Sequence, residues 1–159
     1  MEEAYYMKIY EKTISNMYVA TEKHTIDIVS DELIGQLKKG FNEHFSNTDA
    51  VKTKPEEFFT VFNAEEYRDS DYDVELWYRV RSLKKDTEHI KFKLVQKSEI
   101  AYVIASQKCD NKKFVCDELF KYIKDKGYKL NGFPREVYVP DESSENGYFT
   151  EVQIPFIRK

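Results

Sequence analysis

The alternation of apolar and polar residues along the chain predicts strands at both ends and in the middle, interrupted by two helices. Tyr5 to Ile14 and Met17 to Thr21 are rich in aromatic and branched residues, the composition of strands. From Ile26 to Phe45 the apolar positions Ile26, Val29, Leu33, Leu37 and Phe41 recur every three or four residues, which predicts a helix with Asp27 or Ser30 as its cap. Gly35 and Gly40 weaken that helix. Glu57 to Phe62 is a short strand. Tyr72 to Arg81 alternates strictly, with Val74, Leu76, Tyr78 and Val80 on one face and Glu75, Trp77 and Arg79 on the other, more polar face. Ile90 to Val95 and Ile100 to Ala105 read as strands. Asn111 to Lys126 is the second helix, striped by Val115, Leu119, Tyr122 and Ile123, capped by Asp110 or Asn111 and stopped by Gly127. Asn131-Gly132 is a turn, and strands follow at Glu136 to Val139 and Tyr148 to Ile157.

The order of elements repeats. Tyr18-Val19 is echoed by Tyr102-Val103, and Asp31-Glu32-Leu33 by Asp117-Glu118-Leu119. Glu57 to Val61 is echoed by Glu136 to Pro140, and Tyr72 to Glu75 by Tyr148 to Glu151. Four echoes in one order predict a duplicated strand–helix–strand–strand unit. Repeat one covers about residues 5–81 and repeat two about 90–157 of a single domain, 1–159. Pairing two such halves buries a sheet face that each alone would expose. The fold class expected is α+β: an antiparallel sheet with two main helices on one face, related by a pseudo-twofold axis.

Composition narrows the function. The chain has 159 residues, 34% of them charged and 41% hydrophobic, with a net charge of −4. An acidic balance argues against a phosphate-binding surface and direct contact with nucleic acid. No apolar run approaches the ~20 residues of a membrane span, and the acidic start lacks a signal-peptide pattern, so the expected location is cytoplasmic. Charge is uneven: residues 1–88 hold 12 basic and 19 acidic side chains, residues 89–159 hold 13 and 10. Cys109 and Cys116 match no common zinc spacing, and His24, His44 and His89 lie far apart in sequence. Each histidine reads as a surface or loop residue, so neither a metal nor a cofactor is expected. There is no Walker A loop, no GxGxxG and no GxSxG. The 12 Tyr, 11 Phe and one Trp suit either a core or a pocket for flat or cationic molecules.

The second half resembles the GyrI-like effector-binding domain of MerR- and AraC-type multidrug regulators, which also occurs as a stand-alone protein. The residues that carry the resemblance are Glu118-Leu119-Phe120, Tyr128, Pro134 to Pro140 (Pro-Arg-Glu-Val-Tyr-Val-Pro), Tyr148 and Thr150 to Phe156 (Thr-Glu-Val-Gln-Ile-Pro-Phe). Tyr18 and Tyr72 to Val80 extend it more weakly into the first half. The chain departs from the family at Cys109-Asp110-Asn111-Lys112, where a Gly-x-Tyr-like turn is usual. The resemblance implies a ligand cleft between two repeats. It places the family's central carboxylate on Glu136, which in multidrug-sensing relatives meets cationic aromatic ligands.

The residues themselves leave alternatives open. Glu136 and Tyr138 share one strand face, where Glu136 either meets a ligand cation or pairs with Arg135 or a lysine. Trp77 is either a lid over loop residues or a cleft wall. Tyr18 and Tyr102 begin matching strands and are core or cleft. Glu75 and Glu151 occupy matching places, where a carboxylate either faces water or a lysine or joins an acid–base pair. The leading expectation is reversible binding of a small aromatic or cationic molecule by Glu136, Tyr138, Trp77, Tyr18 and Tyr102, with output through a separate DNA-binding regulator or by sequestration. One alternative is a small-molecule hydrolase with Glu136 as base and Tyr138 or Trp77 placing the substrate. The other is a gyrase-inhibitor-like interaction module, for which the acidic first half offers a surface.

The charge balance predicts that a gel-shift titration with duplex DNA shows no salt-dependent binding near micromolar concentrations; a shift in that range would overturn the expectation.

Overall fold

The computed structural model describes residues 8–26, 31–63, 72–105, 112–140, 142–143 and 147–158. The elements are β1 (Tyr10–Ile14), β2 (Met17–Ile26), α1 (Asp31–Ser46), β3 (Phe58–Phe62), β4 (Tyr72–Val80), β5 (Lys91–Val95), β6 (Ser98–Ala105), α2 (Lys112–Asp125), β7 (Lys129–Leu130), β8 (Arg135–Pro140) and β9 (Tyr148–Ile157). All strands join one antiparallel, curled sheet in the order β1-β6-β9-β8-β3-β4-β2-β5, with β7 added to β9. β6-β9-β8 and β4-β2 with β3 form two three-stranded blocks that meet at the β3–β8 seam, where Phe58 faces Tyr138 and Thr60 faces Glu136.

Register assigns every side chain to one of two sheet faces, because direct partners share a face and neighbours along a strand alternate. On one face Ala20, Phe58, Phe62, Val74, Leu76, Tyr78 and Val80 pack with Ile34, Phe41 and Phe45 of α1. On the same face of the other block, Ala101, Val103, Val152, Ile154 and Phe156 pack with Val115, Cys116, Leu119 and Ile123 of α2. The α+β class and the shared face of both helices are therefore as the pattern predicts. Phe41 is fully buried, its ring stacked 4.9 Å from that of Tyr78.

Three expectations are corrected. Ile26 ends a strand instead of opening the first helix: β2 runs for ten residues, and nine of them, from Tyr18 opposite Val80 to Ile26 opposite Tyr72, pair with β4. That ladder outweighs the helical spacing of Ile26. The helix begins at Asp31 and runs on through Gly35 and Gly40. The cap candidates Asp27, Ser30, Asp110 and Asn111, and Cys109, lie outside the described residues. Second, the face of β4 that carries Trp77 is buried: Trp77 joins Met17, Val19, Phe59, Val61 and Val137 in an apolar cluster on the helix-free face. Third, the three histidines do not lie apart. Both His24 and His44 contact Glu22, and His44 stacks on His89.

Turn chemistry holds where the sequence supplies it. Gly127 ends α2 with φ of +75°. Gly132 has φ of +144°, and a Cβ there would stand 3.2 Å from Pro155 Cγ, so this turn needs glycine on both counts.

Replacing Phe41 by alanine empties the centre of the α1 core and should cost about 3–5 kcal/mol of unfolding free energy, measurable by urea denaturation.

Candidate ligand-binding face

The helix-free face holds buried polar groups beside the apolar cluster around Trp77 and Phe59. Two carboxylates, Glu75 on β4 and Glu151 on β9, are both buried there. Lys93 Nζ donates to Glu75 Oε1 at 2.8 Å, and Trp77 Nε1 donates to the same oxygen at 2.9 Å. Lys93 Nζ also lies 5.0 Å from the centre of the Trp77 ring. Burial pushes the Glu75 carboxyl up, but the hydrogen bonds with Lys93, Trp77 and Asn63 and the charge of Lys93 together outweigh it and hold the group below its usual range.

Glu151 is answered in the same way. Lys12 Nζ donates to Glu151 Oε1 at 2.8 Å, and Gln153 Nε2 donates to that oxygen at 2.9 Å. Lys12 Nζ stands 4.2 Å over the Tyr102 ring, which stacks on Tyr10. In each block the carboxylate takes one donor two residues along its own strand and a lysine from an edge strand, β5 or β1, and Glu75 Oε2 also has Lys23 Nζ at 4.0 Å. The edge-strand lysines are partly exposed, with 44% of the Lys93 side chain and 37% of the Lys12 side chain accessible, so their heads can leave.

Arg135 lies between the two halves. It is 3% exposed, its Nε donates to Gln153 Oε1 at 2.9 Å, and its guanidinium lies 5.6 Å from the Trp77 ring and 5.7 Å from that of Phe59. Burial pulls its pKa down to about 10, so it keeps its charge at neutral pH. Its Nη2 is buried with no hydrogen-bond partner. A buried donor left in that state forgoes about 1–3 kcal/mol, which an acceptor on a bound molecule would return.

Register divides the residues singled out from the sequence. Trp77 and Tyr102 lie on the helix-free face. Glu136 and Tyr138 lie on the helix side, where Tyr138 packs against Phe58. Glu136 is buried there. Tyr18, directly opposite Val80, is on the helix side and 39% exposed, so it and Tyr102 do not share a face despite their echo. Glu75 and Glu151 do share one, and each meets a lysine. Arg135, Gln153, Lys12, Lys93 and Phe59 were missed. A signal for part of this existed: Glu-x-Trp at 75–77 and Glu-x-Gln at 151–153 coincide at an offset of 76 residues (151 − 75), and both put a donor beside a carboxylate on one strand face.

No protein-family model and no curated protein sequence matches the chain. Solved structures do. The EcmrR C-terminal domain aligns with a TM-score of 0.81 at 22% identity, over 96% of this chain and 99% of that one. The chain has the fold of that domain. In the EcmrR–DNA complex the alignment has a TM-score of 0.80 at 23% identity and covers 96% of this chain but 58% of the EcmrR chain. A hydrolase from Listeria innocua aligns at 0.60 with 10% identity, over 94% of this chain and 92% of its own. SAV2435 bound to tetraphenylphosphonium aligns at 0.54 with 11% identity, over 94% of each chain. At these identities the likeness is one of fold. No helix among the described residues is long and apolar enough to cross a membrane.

A Glu75 carboxyl held below its usual range contributes stability that is present above the unfolded pKa and lost as pH falls through the folded one. Glu75→Gln should therefore destabilise the protein by about 1.5–3 kcal/mol at neutral pH, and the difference from wild type should shrink as pH falls below 4.5. Denaturation curves at a series of pH values would check it.

Proposed function

We propose that this chain is a small-molecule-binding domain and that its ligand lies on the helix-free face. The observation that carries the reading is the pair of buried carboxylates, each bonded to a partly exposed lysine whose ammonium also stands by an aromatic ring. Carboxylate, ring and cation together make the environment that an organic cation seeks. In the empty protein the ammonium groups of Lys93 and Lys12 fill that role. A cationic aromatic molecule would displace one of them into water, lay its rings against Trp77 and Phe59 or Tyr102, and offer any acceptor it carries to Arg135 Nη2. Exchange of one cation for another is close to electrostatically even, so the gain comes from burying rings, at roughly 25 cal/mol per Å² of apolar surface. The likeness to SAV2435 solved with tetraphenylphosphonium supports a lipophilic cation as the probe. The likeness to a domain within a DNA-bound regulator supports an output in transcription regulation.

The test is calorimetric titration with tetraphenylphosphonium and with tetraphenylborate, which has nearly the same shape and the opposite charge. The cation should bind wild type more tightly. Glu75→Gln or Glu151→Gln should weaken the cation roughly ten- to hundredfold, and Lys93→Met should tighten it by freeing the carboxylate. Preference for the borate would assign the site to Arg135 and the lysines and overturn the cation reading. Glu136→Gln should leave affinity unchanged, since that carboxylate lies on the other face; a loss there would move the ligand to the helix side.

A further inference from the structure

Two of the chain's three histidines, His24 and His44, meet on one buried glutamate and the third, His89, stacks on His44, on the sheet face opposite the proposed ligand site. Glu22 and His24 share a face of β2, His44 is in the last turn of α1, and His89 precedes β5. Glu22 is 7% exposed. His44 Nδ1 contacts Glu22 Oε2, and His24 Nε2 lies 2.7 Å from Glu22 Oε1. The His44 and His89 rings stack at 3.9 Å with planes 7° apart. One donor atom from each of Glu22, His44 and His89 lies within 4.8 Å of the others.

We propose that Glu22, His44 and His89 bind a divalent transition-metal ion, zinc by preference. Two imidazoles and a carboxylate are a donor set that zinc takes with three protein ligands and a fourth, open position. Magnesium and calcium prefer all-oxygen sites and are disfavoured here. Tetrahedral bonds of 2.0–2.1 Å place donors about 3.3 Å apart, so the widest separation closes by at most about 1.5 Å and the close His44–Glu22 contact opens. Rotation of the partly exposed histidines supplies that, and the same exposure gives the ion a way in: 33% of the His44 side chain and 52% of the His89 side chain are accessible. His24 supports the site from outside, since its bond to Glu22 Oε1 orients the carboxylate and leaves Oε2 for the metal. Bound metal would tie the end of α1 and the segment before β5 to β2. Lys93, the partner of Glu75, stands on β5, so the metal would also fix the root of a strand that serves the opposite face.

The experiment uses the full, untagged chain stripped with a chelator. Zinc titrated by calorimetry should bind with one ion per chain and raise the melting temperature, and magnesium should do neither. Cobalt in its place should give visible absorption bands of low-symmetry coordination. His89→Gln alters the most exposed ligand and should weaken zinc by more than the ~10–100-fold that an outer-shell partner is worth, with the zinc-free melting temperature unchanged. Glu22→Gln and His44→Ala should abolish the cobalt bands, with folding checked by circular dichroism. His24→Ala should weaken zinc by about 10–100-fold and keep the stoichiometry. Wild-type zinc binding that is absent, or that His89→Gln leaves unchanged, would overturn the proposal.

Discussion

A carboxylate buried on a sheet face must be answered by donors, and that constraint organises the helix-free side of this molecule. Taking a charge out of water costs several kcal/mol unless it is paired and hydrogen-bonded. Glu75 and Glu151 both take a donor from their own strand and an ammonium from an edge strand, and Glu75 has Lys23 besides. The strand donors are fixed by a two-residue period. Lys93 and Lys12 sit on β5 and β1, the two outermost strands, so the carboxylates depend on the whole width of the sheet.

The two faces have different tasks. The helix side carries the larger apolar clusters, closed by α1 and α2. The other face has only a small cluster around Trp77 and Phe59 and fills its remaining area with charge. A face built that way is a poor core, because its polar groups gain little from one another beyond covering their desolvation. It is well suited to exchange, since its lysines are part-exposed and Arg135 holds a buried N–H in reserve.

Both helices, most strands and the glycine turns were legible because each depends on local periodicity or backbone conformation. The first helix start was misplaced because Ile26 satisfies helical spacing and strand alternation alike, and only the β2–β4 ladder separates them. For the site, Trp77, Tyr102 and the matching of Glu75 with Glu151 were legible. The polarity of Glu75 made the Trp77 face look solvated, whereas cross-strand partners Phe59 and Val137 bury it.

The sequence by itself determined the α+β class, the existence and order of the two helices and which residues of one strand share a face, since these follow from spacing along the chain. Tertiary structure decided what meets across the chain. Glu136 and Trp77 stand on opposite faces because the register of β8 with β3 and β3 with β4 puts Val137, and not Glu136, in line with Trp77. Lys12 reaches Glu151 across 139 positions of sequence, His24 and His44 meet on Glu22, and His89 stacks on His44. Such meetings depend on strand order and on the seating of α1. No periodicity encodes them, because register is set by the packing of both faces at once.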